Sequence, residues 1–304
     1  MRLSEQLHRH QAHVGFIVTK ITRKQSNQGG ISMQPPRRKH TLPWIFSTLF
    51  IAGISLSGVA HAANWRFAVP PFLPQAELQA QYAPLVEFLN ATTGEHFELV
   101  TSSSFLSYWN TAAKGGAYDL VLDNAPMVDF FVQRQKFTVL AKIAGVISQS
   151  VVTNEKTNIF EANELIGKKV ATVASPSLSA LAMFQLFPNP MRQPDFIYAH
   201  DARAAVQMAQ TNQVVAAIVP TPVAIQFSNL NLVTTTEQIP HLAVAAAPSM
   251  PVETQKKVKQ ALLNAPQTVL GQKALASLNT TGFEQASNAN YSGYAKWLEG
   301  TYGY

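Results

Sequence analysis

From Trp65 to about residue 247 the chain keeps changing its hydrophobic period, and that alternation limits the fold more than any other feature. "WRFAVP" is a short strand-like run. "AELQAQYAPLVEFLNATTG" then places Leu78, Tyr82, Leu85, Val86 and Leu89 at helical spacing and stops at Gly94. "HFELVTS", "YDLVLD" and "FTVLAKIAG" read as strands, separated by the helix-like "SFLSYWNTAAKGG" and "APMVDFFVQRQ". The order repeats after "ISQSVVTN", which carries the chain onward. "KKVATV" precedes "SLSALAMFQLF", "DFIYAH" precedes "DARAAVQMAQTN", and "VVAAIV" precedes "TPVAIQFSN". "LNLVTTTE" and "HLAVAAA" are late strands, and only helices are expected after them, at 251–264, about 266–279, and 290–299. Strands alternating with helices of this length predict an α/β fold, with mainly parallel sheets covered by helices on both faces. Two halves with the same order of elements predict two similar lobes with a cleft between them.

In open α/β sheets a ligand sits beyond the carboxyl ends of the strands. That rule selects the turns Pro70-Pro71-Phe72, Ser102-Ser103-Ser104, Asp123-Asn124-Ala125, 175–179 and His200-Asp201, with Pro220-Thr221-Pro222 as a sixth. Hydroxyls and helix N-termini at such turns suit an oxyanion. Each has a plainer reading. Ser175, Ser177 and Ser179 include one ordinary helix cap, with Pro176 at the first helical position. Asp123 or Asn124 equally suits a cap, and an ionised Asp123 would repel a fully ionised oxyanion. Asp201 is expected to cap the following helix. Phe105, Tyr108 and Trp109 are spaced as core aromatics, while Phe72 is best placed to wall the cleft.

Charge and composition exclude other classes. The net charge is +6, yet residues 1–62 hold eight of the 23 Lys and Arg and only one of the 17 Asp and Glu. Residues 63–304 therefore carry 15 basic against 16 acidic side chains, close to neutrality. Nucleic acid is not expected as a partner. The absence of cysteine removes disulfides, thiolate metal sites and a Cys nucleophile. His96, His200 and His241 lie far apart with no paired spacing, and no Gly-x-Ser-x-Gly elbow or phosphate-cradling Lys loop occurs. No catalytic residue, metal or cofactor is expected.

Residues 33–62 have the three parts of a secretory signal: Arg37-Arg38-Lys39, an apolar stretch over 42–59, and Ala60-His61-Ala62 as the cleavage site. An uncleaved anchor is the rival, weakened by Ser47, Ser55, Ser57 and two glycines. Residues 1–32 fit no part of a signal, and Met33 is expected to be the true start. The mature chain would then lie in the periplasm.

"YDLVLDNAPMVDFFVQRQKFTVLAKI", "LIGKKVATVASPSLSALAMFQLF", "AHDARAAVQMAQTNQVVAAIV" and the helical C-terminus from "MPVETQKKVKQALL" to "YAKWLEG" resemble the phosphate/phosphonate-type periplasmic substrate-binding proteins of ABC transporters. The resemblance covers nearly all of residues 65–304. It implies a two-lobed periplasmic binding protein of the second structural type, with lobe 1 at 64–148 plus 245–304 and lobe 2 at 149–244. It implies a monomer that closes over a small anionic ligand and hands it to an ABC permease. A periplasmic sensor or accessory module with a membrane partner is the alternative, and a secreted enzyme the third reading. The contacts implied are Phe72, Ser104, Phe105, Asp123, Asn124, Ser175, Ser177, Ser179, His200 and Thr221. Ser177 and Ser179 match the family's hydroxyl positions, and His200 matches its cleft histidine. The chain departs from the pattern at five places, one being the first-lobe turn Asn124-Ala125-Pro126-Met127, where Gly-Pro is common. Leu178 replaces the middle hydroxyl, Ala174-Ser175-Pro176 replaces a glycine-rich turn, Val215 replaces an acid, and Phe105 stands where a tyrosine is common.

Overall fold

The alternation read from the sequence appears in the computed structural model, which describes residues 64–301. The expected signal at 33–62, its Ala60-His61-Ala62 site and residues 1–32 lie outside the described residues. The first half runs β1 (Asn64–Ala68), α1 (Gln75–Thr93), β2 (His96–Val100), α2 (Phe105–Lys114), β3 (Leu120–Asp123), α3 (Ala125–Gln135) and β4 (Thr138–Ile143). "ISQSVVTN" divides between β5 (Val146–Ile147) and β6 (Gln149–Asn154). Then come β7 (Lys169–Val173), α4 (Leu178–Leu186), β8 (Asp195–Ala199), α5 (Ala202–Gln210), β9 (Ala216–Pro220), the single turn α6 (Thr221–Ala224) and β10 (Leu230–Thr235). The chain ends with β11 (Ile239–Pro240), β12 (Ala243–Ala246), α7 (Val252–Asn264), α8 (Val269–Ser277), β13 (Phe283–Gln285) and two 3-10 turns, Asn288–Tyr291 and Tyr294–Leu298.

Two sheets result. One has six strands in the order β13-β4-β12-β3-β1-β2, the other five in the order β10-β6-β9-β7-β8. β1 pairs in parallel with β2 and β3, and β7 with β8 and β9. β12 pairs antiparallel with both β3 and β4, and β6 antiparallel with both β9 and β10. Most strands of each sheet thus share a direction, while the ladders are mixed. β6 and β12 follow the chain's two passages between sheets and run against their neighbours. Those passages pair with each other as a two-stranded ribbon, β5 with β11. β12, beginning at Ala243, belongs to the six-stranded sheet.

Each sheet is covered on both faces. Phe67, Leu85, Phe88, Leu122 and Leu262 form one core of the six-stranded sheet, and Tyr108, Val121, Phe131, Ala245 and Tyr291 the other. Val206, Ala217 and Val219 fill one side of the smaller sheet, and Val151, Met183 and Phe187 the opposite side. α4 belongs to two of these cores. Met183 packs with the smaller sheet, whereas Leu181 packs in the cluster of Tyr108 and Phe131. A helix apolar on all sides is expected to be buried on all sides, and α4, "LSALAMFQL", has that composition.

The C-terminus departs from the expectation of helices alone. β13 pairs antiparallel with β4. With only three residues, and Phe283 alone buried, it is too short to show a period of two. The segment expected as a helix at 290–299 is a pair of 3-10 turns. They are separated at Gly293, whose φ of 92° is left-handed and open to glycine at little cost.

Candidate ligand site

In the first lobe the polar contacts centre on Asp123, which Tyr108 and Asn124 reach and Phe72 and Ser104 do not. The Asp123 side chain is wholly buried at the end of β3. Tyr108 Oη donates to its Oδ2 at 2.5 Å, and the Asn124 N–H donates to Oδ1 at 2.7 Å. Burial pushes the Asp123 carboxyl up to about 7, against the pull of those two donors. Burial, followed by the nearby Asp123 charge, holds the Tyr108 hydroxyl well above its ordinary range. Tyr108 also stacks on Tyr118 with ring centroids 5.7 Å apart. Asn124 caps α3, accepting from the Met127 N–H at 3.1 Å. Phe72 is half-buried and meets Tyr82 edge-on at 6.1 Å. Ser104 is exposed and caps α2 through the Ser107 N–H, and Phe105 is buried in the first turn of that helix.

In the second lobe Ser179 and Thr221 share one hydrogen-bonded group with the start of β6, while Ser177 closes its own turn and His200 stands apart. Ser177, not Ser175, caps α4, and Pro176 lies before the helix rather than at its first position. Ser177 Oγ accepts from the Ala180 N–H at 3.2 Å and donates to the Val173 carbonyl at 2.7 Å, closing the turn onto β7. Ser179 Oγ donates to Gln149 Oε1 at 2.7 Å. Thr221 Oγ1 lies 2.9 Å from both Ser148 Oγ and Ser150 Oγ. Ser175 is buried in the turn before α4. His200 stands at the end of the edge strand β8. Its side chain is 75% exposed, and Nε2 lies 3.1 Å from Asp201 Oδ2. Asp201 caps α5 through the Ala204 N–H, as expected.

Leu178 and Leu181 connect the two groups. Both pack in the cluster that holds Tyr108, Ala125 and Met127, and the first-lobe element against which α4 lies is the Tyr294–Leu298 turn. The residue that replaces the expected middle hydroxyl is therefore an apolar contact between lobes. Sequence reasoning placed Tyr108 in the core and passed over Gln149 and Ser150. The signal for the latter pair was two adjacent polar residues opening the strand that follows the crossing between sheets. Among the described residues, no group of three or more His, Asp or Glu side chains gathers closely enough to hold a metal ion.

The family model for ABC transporter, phosphonate, periplasmic substrate-binding protein matches residues 67–291. The chain belongs to this family. Solute binding, an α/β two-lobed fold and a periplasmic setting are the family's properties, and its members work with ABC permeases. Solved structures are similar in fold. PhnD1 from Prochlorococcus marinus (MIT 9301), in complex with methylphosphonate, is 14% identical with a TM-score of 0.68, covering 78% of this chain and 97% of that one. XAC2383 from Xanthomonas citri, bound to ATP, is 12% identical with a TM-score of 0.63 over 78% and 97%. A binding protein component of an ABC phosphonate transporter (PA3383) from Pseudomonas aeruginosa is 12% identical with a TM-score of 0.63 over 76% and 83%. No curated protein matches the sequence. Among the described residues no helix is long and apolar enough to cross a membrane.

Proposed function

We propose that the protein captures a small phosphate- or phosphonate-like oxyanion between its lobes and presents it to an ABC permease. The observation that carries this reading is the position of the side-chain-capped starts of α3 and α4 beyond the carboxyl ends of β3 and β7, with Leu178 and Leu181 of α4 packed in the cluster that holds Tyr108. Helix N-termini present free N–H groups and the positive end of the helix dipole to an anion. The solute-binding family and the methylphosphonate complex of the Prochlorococcus protein point to the same ligand chemistry. On this reading lobe 1 comprises 64–148 and the chain from Ala243 onward, since β12 rather than residue 245 opens its second part, lobe 2 comprises 149–242, and the β5–β11 ribbon is the hinge. The eight polar candidate contacts act by hydrogen bonding and Phe72 and Phe105 as apolar walls, without catalysis, metal or cofactor. The mature protein is a monomer cleaved after Ala62, and nucleic acid is not a partner.

Ligand that binds only the folded state raises its stability with the logarithm of concentration. Melting temperature is measured against methylphosphonate, phosphite and phosphate. A concentration-dependent rise with at least one supports the reading, and a flat response to all three removes it.

A further inference from the structure

Asp123 is the last residue of β3 and lies opposite Ala243, the first residue of β12. Ala243 follows the β11 arm of the ribbon by three residues, so Asp123 stands at the end of the sheet from which the chain crosses between lobes. Its oxygens face the Tyr108 hydroxyl and the Asn124 N–H. The titratable groups that act on it are tyrosines: Tyr108 from α2, Tyr82 from α1 and Tyr118 from the segment before β3. Lys142 of β4 stands in register with Asp123 across Ala243, but its Nζ is engaged by Glu284 and the Gly145 carbonyl. The first turn of α4 contributes Leu178 and Leu181 to the same cluster as Tyr108, and residues 174–181 contain no charged side chain. No ion pair among the described residues includes Asp123. An ionised carboxylate in this position opposes an oxyanion, with no cation beside it to offset the repulsion.

We propose that the closed complex holds one proton between Asp123 and the ligand oxyanion, so that ligand capture is linked to proton uptake. This inference rests on the oxyanion reading above. With a hydrogen phosphonate monoanion, the ligand O–H donates to the carboxylate. With the dianion, the carboxylic acid O–H of Asp123 donates to the ligand. Both routes reach the same complex with the same proton count. Burial already raises the Asp123 carboxyl to about 7, so the free protein carries part of that proton near neutrality. The pair Asp123–Tyr108 then determines the pH range over which the protein holds its ligand.

The test is calorimetry with methylphosphonate between pH 5.5 and 9, in two buffers of different ionisation enthalpy. Wild type and Asp123→Asn share the ligand's own ionisation, so the difference between them isolates the Asp123 proton. The expected result is a dissociation constant that rises more steeply with pH in wild type, by up to about tenfold per pH unit. Proton uptake should also be larger in wild type than in D123N. Tyr108→Phe removes a donor to the carboxylate and should move the wild-type profile to higher pH, which serves also if D123N does not fold. Equal slopes and equal uptake in all three proteins would overturn the proton link and leave the oxyanion reading standing. Tighter binding with rising pH, lost in D123N, would instead mean that Asp123 meets a cationic ligand group, and overturns it too. Absence of binding by methylphosphonate, phosphite and phosphate in wild type at every pH overturns the oxyanion reading, and the inference with it.

Discussion

Ser179 Oγ donates to Gln149 Oε1 at 2.7 Å, and both side chains are buried. The bond ties the first turn of α4 to the start of β6, so this hydroxyl has a structural partner before any ligand arrives. Ser179→Ala leaves the buried Gln149 oxygen unmet and should cost about 1–3 kcal/mol. Ser177→Ala removes a cap and should cost about 0.5–2 kcal/mol. Urea unfolding with an unchanged slope reads both. A Ser179→Ala protein of unaltered stability that loses ligand binding would show the hydroxyl turned to the ligand instead.

Leu181 is wholly buried, and it packs with residues of the six-stranded sheet's helices although it belongs to a helix of the smaller sheet's segment. Apolar area lost on opening favours the closed arrangement even without ligand. Leu181→Ala should destabilise the protein by about 2–5 kcal/mol, the range for emptying a buried leucine site. Leu178→Asp, at a half-buried position, should instead separate the lobes while both sheets persist. Small-angle scattering should report a larger radius of gyration for L178D than for wild type in ligand-free solution, with circular dichroism unchanged. Equal radii would mean that these leucines do not hold the lobes together.

Asp129 anchors the C-terminal 3-10 turn. Its Oδ2 accepts from the Ala295 N–H at 2.8 Å and from Gln133 Nε2 at 2.9 Å, and the side chain is buried. Asp129→Ala strands a buried N–H and should release the Tyr294–Leu298 turn, at about 1–3 kcal/mol. Hydrogen exchange in that turn should quicken while exchange in β1 and β3 stays slow. Uniform acceleration through the whole chain would mean that the turn is not a separate unit.

Most strands and helices of both sheets were legible because each keeps one hydrophobic character over four or more residues. β13 was not, since its three residues bury only Phe283. The 290–299 segment carries helical composition, yet Gly293 interrupts it and α3 packs against what remains. At the site, Asp123, Asn124 and Ser177 were legible as strand ends and caps, which are local features. The bonds of Tyr108 to Asp123 and of Ser179 to Gln149 join residues 15 and 30 positions apart. No local pattern encodes such pairs, because each arises only when a helix packs onto its own sheet. Leu178 was visible as a departure from the family pattern, but its apolar neighbours come from another lobe.

His241 supplies a pH dependence of opposite sign to that of Asp123. It follows β11, and its Nδ1 accepts from the Leu242 N–H at 2.8 Å while Tyr291 Oη donates to its carbonyl at 2.6 Å. Burial, then the nearby Lys142 charge, lowers the imidazole from 6.5 to about 4. Protonation would remove the Nδ1 acceptor and place a second cation near Lys142, so the folded state favours neutral His241. A folded value below the unfolded one gives stability that is fully present above 6.5 and is lost as pH falls from 6.5 toward about 4. Each pH unit in that window removes at most about 1.4 kcal/mol, less whatever solvent screening takes away. His241→Gln should therefore lose less stability than wild type between pH 6.5 and 4, and the two should run parallel above pH 7. Melting temperature measured across that range checks the sign. A wild-type curve parallel to that of H241Q down to pH 4 would show that the imidazole titrates normally at the chain's second crossing.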